Sequence, residues 1–155
     1  MEPGAGPSKV SGTMCRPVHH EVEFDAKPRD VYDAYLDSRR HARITGQSAR
    51  MSRKVGGRFT AGDSYISGFN LDLRPARRIV QAWRASEWPD GAYSVLSLEL
   101  RAKGGRTQMV VDHVGIPEEF RDGVDKGWYE FYWDPMKKYF ASQDSTTPGT
   151  KKPRM

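Results

Sequence analysis

The sequence holds a single cysteine, Cys15, in 155 residues. An internal disulfide is therefore excluded, as is a cysteine-based zinc knuckle, and this usage fits a reducing, cytoplasmic setting. No apolar run approaches the roughly 18 residues of a membrane-spanning helix. The first residues contain no apolar stretch of signal-peptide length, so export by that route is not expected. No internal repeat is visible, which excludes solenoids. Neither a Gly-x-Ser-x-Gly elbow nor a phosphate loop occurs. His19 and His20 adjoin in a strand-like segment and point to opposite faces, so they cannot chelate one metal together. No His/Asp/Glu spacing resembles a zinc site, and no cofactor is expected.

One segment lacks acids altogether. Residues 38–58 carry Arg39, Arg40, Arg43, Arg50, Arg53, Lys54 and Arg58 without a single Asp or Glu. The chain as a whole has 25 Lys+Arg against 20 Asp+Glu, a net charge of +5. The excess is thus a local patch plus basic tails, and the rest of the body is net acidic. Nucleic-acid grooves interleave aromatic side chains with basic ones. Residues 38–58 contain only Phe-free, Trp-free and Tyr-free sequence, so nucleic acid is not expected as a partner. Two readings of the six arginines stay open: a solvated face, or a docking surface for an acidic protein partner.

Length sets a prior of one domain, at about 150 residues per domain. Residues 1–17 and 143–155 are rich in Pro, Gly, Ser and Thr and poor in apolar side chains. Both are expected to be disordered tails around a single domain over 18–142. That domain opens with a strand over Val18–Phe24. Pro28 then stands where the first residue of a helix belongs, followed by Val31, Tyr32, Tyr35 and Leu36 at helical spacing. A second short helix covers Ser38–Ile44, with Ser38 as its N-cap and Gly46 as its stop. Gly56-Gly57 opens the next strand. A meander follows: Tyr65–Leu73, Arg78–Trp88, Tyr93–Ala102 and Thr107–Val114, joined by turns such as Pro89-Asp90-Gly91 and Gly104-Gly105. Clean alternation, as in Leu96, Leu98 and Leu100, means antiparallel strands with one wet face.

Beyond residue 122 the period changes. Val124, Trp128, Phe131, Tyr132, Met136, Tyr139 and Phe140 fall at helical spacing, which predicts one helix over 122–142, kinked at Pro135. Seven of the 17 aromatic residues lie between Trp128 and Phe140. A helix that aromatic needs a concave sheet to cover it. The expected architecture is α+β: a curved antiparallel sheet wrapped around a long C-terminal helix, with two short helices after the first strand.

Candidate ligand-binding residues follow from that picture. Trp83, Trp88, Trp128 and Tyr132 are placed to line a space between sheet and helix, with plain core packing as the competing role. Met109 and His113 share the inner face of their strand, and His113 is the one titratable residue there. No nucleophile with a nearby base can be named, so no catalytic residue is assigned.

Several short motifs in fixed order carry a resemblance. They are Pro28 with Val31-Tyr32 and Tyr35; Gly56-Gly57-Arg58-Phe59; Ile79-Val80, Trp83-Arg84 and Trp88-Pro89 with Gly91; and Gly115-Ile116-Pro117 followed by Gly127-Trp128 and Tyr132. Over about residues 18–142 the chain resembles the domain of the activators of the ninety-kilodalton heat-shock chaperone's ATPase. These belong to the START-like, helix-grip superfamily that includes the birch-pollen allergen. The resemblance implies a helix-grip fold with a hydrophobic cavity between the sheet and the last helix. It also implies three possible roles. The leading one is non-enzymatic binding of a small hydrophobic or aromatic molecule. The second is a co-chaperone-like activation of the heat-shock protein 90 ATPase, with a stress-response setting. The third is a polyketide cyclase or aromatase activity, with His113 as acid or base.

Overall fold

The computed structural model describes residues 15–146, so most of both expected tails lies outside the described residues. Seven strands form one antiparallel sheet: β1 (Val18–Phe24), β2 (Arg50–Met51), β3 (Arg58–Ala61), β4 (Ile66–Arg74), β5 (Arg78–Ala85), β6 (Ser94–Lys103) and β7 (Arg106–Val114). Their spatial order is β1-β7-β6-β5-β4-β3-β2. From β3 to β7 the sheet is a meander, and β1 closes onto the far side of β7. The two-residue β2 is too short to leave a periodic signal, and the sequence reading lacks it.

Alternation decides which face is buried. Val18, His20, Val22 and Phe24 of β1 point inward. So do Leu96, Leu98 and Leu100 of β6, and Thr107, Met109, Val111 and His113 of β7. Register puts Val18, His113, Leu96 and Gln81 side by side across four strands. Gly68 is required where β4 passes β5: a Cβ there would stand 1.8 Å from the Ala82 carbonyl oxygen. A bulge between Asn70 and Asp72 shifts the β4–β5 register and turns Leu71 out to solvent. The sequence reading runs β5 on to Trp88. The strand stops at Ala85, and Trp88 sits in a turn whose backbone N–H bonds the Ala85 carbonyl at 3.1 Å.

Helices α1 (Pro28–Leu36) and α2 (Ser38–Thr45) are separated by one residue, Asp37. Pro28 starts α1 where its missing N–H costs nothing. Ser38 is not the cap of α2. Asp37 is, accepting from the Arg40 backbone N–H at 3.1 Å, a contact of about 1 kcal/mol. Those backbone donors also hold the Asp37 carboxyl below its usual range. Ser38 instead accepts from the Met51 N–H at 2.8 Å and ties α2 to β2. Gly46 ends α2 in the left-handed conformation, φ 77°.

The long helical run begins at Glu118, earlier than the periodicity suggested, and has three parts. These are α3 (Glu118–Gly127), a π-helical stretch over Trp128–Trp133, and α4 (Asp134–Thr146). Pro135 falls in the first turn of α4, where its lost N–H is least costly. The break expected at Pro135 is thus taken up as a widened turn just before it. That widening changes which residues face the sheet. Trp133 is fully buried there and Phe131 is 45% exposed, whereas the sequence reading chose Phe131 and not Trp133 for the inward stripe.

Candidate functional site

The helix meets the sheet through two tryptophan–histidine pairs. Trp128 Nε1 donates to His113 Nδ1 at 3.0 Å. An indole nitrogen only donates, so Nδ1 is the acceptor and Nε2 carries the proton. That Nε2–H meets Ser94 Oγ at 2.7 Å, and the Ser94 hydroxyl donates on to the Trp83 carbonyl at 2.9 Å. Both nitrogens of a fully buried ring are therefore satisfied. Burial, with His20 nearby, pushes the His113 pKa down to about 3, so the ring is neutral at physiological pH.

The second pair repeats the pattern. Trp133 Nε1 donates to His20 Nδ1 at 2.9 Å, leaving His20 Nε2 to donate to Asp125 Oδ1 at 2.5 Å. Arg121 backs Asp125 at 3.3 Å. The two indoles stack with centroids 4.9 Å apart and planes 6° apart. Nearby Arg16, assigned to the N-terminal tail by composition, is paired with Glu118 and Asp122 on α3.

A third buried histidine holds the short helices. His41 Nδ1–H donates to the Tyr35 carbonyl at 2.7 Å, and the Tyr132 hydroxyl donates to His41 Nε2 at 2.8 Å. Burial lowers the pKa of His41 and raises those of Tyr35 and Tyr132. The Tyr35 hydroxyl continues to Gln81 at 3.1 Å, and Gln81 to Asn70 at 3.0 Å.

Beside this packed region lies a cavity of about 450 Å³ between α3, the π stretch and the β4–β5 end of the sheet. Trp83, Trp88, Trp128 and Tyr132 are among the residues that line it. Trp83 packs on Trp88 at 5.5 Å and on Trp128 at 5.7 Å, and Trp88 stacks on Phe120 at 6.2 Å. Met109 and His113 are not among its described lining residues. His113 lies behind the wall, edge-on to Trp83 at 4.8 Å. A cyclase-type acid or base needs a nitrogen facing the substrate at a useful pKa, and His113 offers neither.

Several lining residues escaped the sequence reading: Phe120, Gly123, Gly127, Phe131, Glu87 and Glu119. Phe120, Gly123, Val124, Gly127, Trp128 and Phe131 recur at helical spacing, so one helix face forms the wall. That signal was present, but two of its members are glycines. A Cβ at Gly123 would meet nothing within 4 Å, and one at Gly127 only Phe131 at 3.9 Å. The wall also contains an unmatched donor. Trp88 is 3% exposed, and its Nε1 has no hydrogen-bond partner among the described residues.

Arg39, Arg40 and Arg43 line a separate groove that also holds Lys27, Asp25, Asp30 and Asp37. Arg50 and Arg58 lie on β2 and β3, and Arg53 is paired with Asp33 at 2.6 Å. Among the described residues, no helix is long and apolar enough to cross a membrane.

Comparison with known proteins adds a family. The model described as Activator of Hsp90 ATPase homolog 1-like protein matches residues 25–141. The human Activator of 90 kDa heat shock protein ATPase homolog 1 is 28% identical over 140 residues, which is 84% of this chain and 41% of that protein. The Dictyostelium discoideum activator homologue is 28% identical over 120 residues, 77% of this chain and 31% of its own. This chain therefore spans less than half the length of these relatives. Among solved structures, an HSP90 activator from Plasmodium falciparum superposes with a TM-score of 0.75 at 21% identity, covering 81% of this chain and 96% of that one. CalU16 from Micromonospora echinospora gives 0.71 at 23% identity, covering 84% and 80%. At these identities the two structures show a shared helix-grip fold.

Proposed function

This chain belongs to the Activator of Hsp90 ATPase homolog 1-like family, and from that premise we propose that it binds a small hydrophobic or aromatic molecule between its sheet and its C-terminal helix. The carrying observation is the cavity of about 450 Å³, whose size and aromatic walls suit a small ligand. The two glycines in its helical wall support the same reading. Glycine inside a helix costs roughly 0.5–1 kcal/mol relative to alanine. Gly123 and Gly127 accept that cost on the face where larger side chains would fill the space. Trp83, Trp88, Trp128 and Tyr132 are the contact surface in this proposal, with Met109 and His113 as support behind it.

The test is native mass spectrometry of the purified protein, followed by titration of a hydrophobic panel read by tryptophan fluorescence. The expected result is a ligand that shifts the emission of the wall tryptophans and is lost in Gly123→Leu while the circular dichroism stays native. A panel without any binder would remove the reading.

A second reading rests on two other observations. A human relative is named as an activator of the 90 kDa heat shock protein ATPase and a structural neighbour as an HSP90 activator, and Arg39, Arg40 and Arg43 border one groove that an acidic partner surface could meet. Pull-down and ATPase assays with the host's heat-shock protein 90 decide it. Stimulation that falls on charge reversal of these three arginines is the expected result under this reading. No interaction at micromolar concentrations counts against it.

A further inference from the structure

We propose that the cavity selects a cationic ligand: an aromatic or aliphatic body carrying a positively charged nitrogen. This rests on the ligand-binding reading above and adds the ligand's charge. In a chain of net charge +5, the charged residues lining the cavity are two carboxylates, Glu87 and Glu119, and no Lys, Arg or His is among the described lining residues. Both glutamates are exposed, as befits a mouth rather than a floor. They come from opposite walls. Glu87 follows β5 in the turn that carries Trp88, and Glu119 sits in the first turn of α3.

Neither charge is cancelled by a neighbour. Glu87 accepts a hydrogen bond from the Tyr65 hydroxyl at 2.8 Å, a neutral donor that leaves its charge in place. Glu119 has no ion pair or side-chain hydrogen bond among the described residues. Several of the chain's cations pair elsewhere: Arg53 with Asp33, Arg106 with Glu23 and Asp25, Arg121 with Asp122 and Asp125. Arg84, three residues before Glu87, gives its guanidinium to the Trp88 and Pro89 carbonyls. The rings inside the mouth reinforce the sign. The faces of Trp and Tyr carry partial negative charge and attract ammonium groups within about 6 Å of the ring centre. Trp83, Trp88 and Trp128 border the cavity and are 2–5% exposed, so they add a small attraction of this kind to that of the two carboxylates. A carboxylate or phosphate ligand would have to hold its charge against both glutamates.

Three probes that share a naphthylmethyl body separate the charge from it: naphthylmethylammonium, naphthylmethanol and naphthaleneacetate, titrated calorimetrically into the full chain at neutral pH. The ammonium is expected to bind about tenfold tighter than the acetate, with the alcohol between them. Added salt should narrow that gap. Glu87→Gln/Glu119→Gln, at two exposed positions, should bring all three to within about twofold. Equal affinities in the unmodified protein, or a preference for the acetate, overturn the charge selection and leave the ligand reading intact. Failure of all three to bind overturns the ligand reading and the charge selection with it.

Discussion

The two flanks of the long helix treat their tryptophans in opposite ways. On the β1–β7 side, Trp128 and Trp133 each give their indole N–H to a buried histidine, and each histidine passes its own proton to a second acceptor. Every indole and imidazole nitrogen in this chain of contacts has a partner, and the two indoles stack; only Arg121, behind Asp125, keeps a buried Nε without one among the described residues. On the β4–β5 side, Trp88 keeps a buried N–H that bonds nothing among the described residues, and its ring borders empty space. Unpaired buried donors cost roughly 1–3 kcal/mol, and voids forgo dispersion contacts. One flank is therefore built for stability. The other leaves hydrogen-bonding capacity and volume unused.

The sharpest test of the stable flank is Trp133→Ala. It removes a fully buried indole and strips His20 of its donor. A loss of roughly 5 kcal/mol is expected, enough to unfold a marginally stable domain, measured by urea denaturation. Trp88→Ala, on the side with the cavity, should cost less, because its indole N–H bonds nothing among the described residues and no partner is stripped of a donor. Equal losses would mean that the flanks do not differ.

The acid response should come next in size. His113 has a folded-state pKa lowered to about 3, against an unfolded value near 6.5. The unfolded chain then binds a proton that the folded chain refuses. The contribution of this group is complete above about pH 6.5 and is lost as pH falls toward 3, on the order of 4 kcal/mol over that window. Thermal melts across the range should show this slope in the unmodified protein and a flatter one in His113→Gln. If the slopes match, the stable flank owes nothing of its acid response to this histidine.

The fold was legible wherever a strand alternates or a short helix carries a capping pattern. Leu96, Leu98 and Leu100 place β6, and Pro28 places α1, because each local preference agrees with the final structure. The stable flank was harder to foresee. His20 belongs to the apolar side of β1 by simple alternation, but its partners Asp125 and Trp133 lie more than a hundred residues away. Trp133 is fully buried in the π stretch, while the stripe read from the sequence took Phe131 in its place. The aromatic wall of the cavity was readable as Trp83, Trp88, Trp128 and Tyr132. Glu87 and Glu119 were not, since an exposed glutamate beside a turn or in the first turn of a helix is an ordinary solvated residue. Only tertiary contact makes them the rim of a shared space.

A smaller effect distinguishes the flanks by sign. Trp128→Phe keeps most of the ring but leaves His113 Nδ1 without its donor, so a loss of roughly 1–3 kcal/mol is expected. Trp88→Phe makes the same chemical change where no bond is lost and an unmatched donor disappears. Its stability should stay level or rise by up to about 1 kcal/mol. Two destabilisations of similar size in paired urea melts would show that Trp88 is bonded in solution.

The smallest effect isolates volume from hydrogen bonding. Gly123 lies in the helical wall with open space where its Cβ would be. Gly123→Ala adds helix preference without a clash, so stability should rise by about 0.5–1 kcal/mol. In an ordinary helix that gain would be without consequence. Here the glycine borders the cavity, so affinity for the naphthyl probes is expected to fall even as the melting temperature rises. Opposite movement of the two readouts means that the glycine keeps volume open for a ligand at the expense of the helix. If stability and affinity rise together, or affinity does not move, the space at Gly123 is incidental, and the contrast between the two flanks reduces to the one unpaired indole at Trp88.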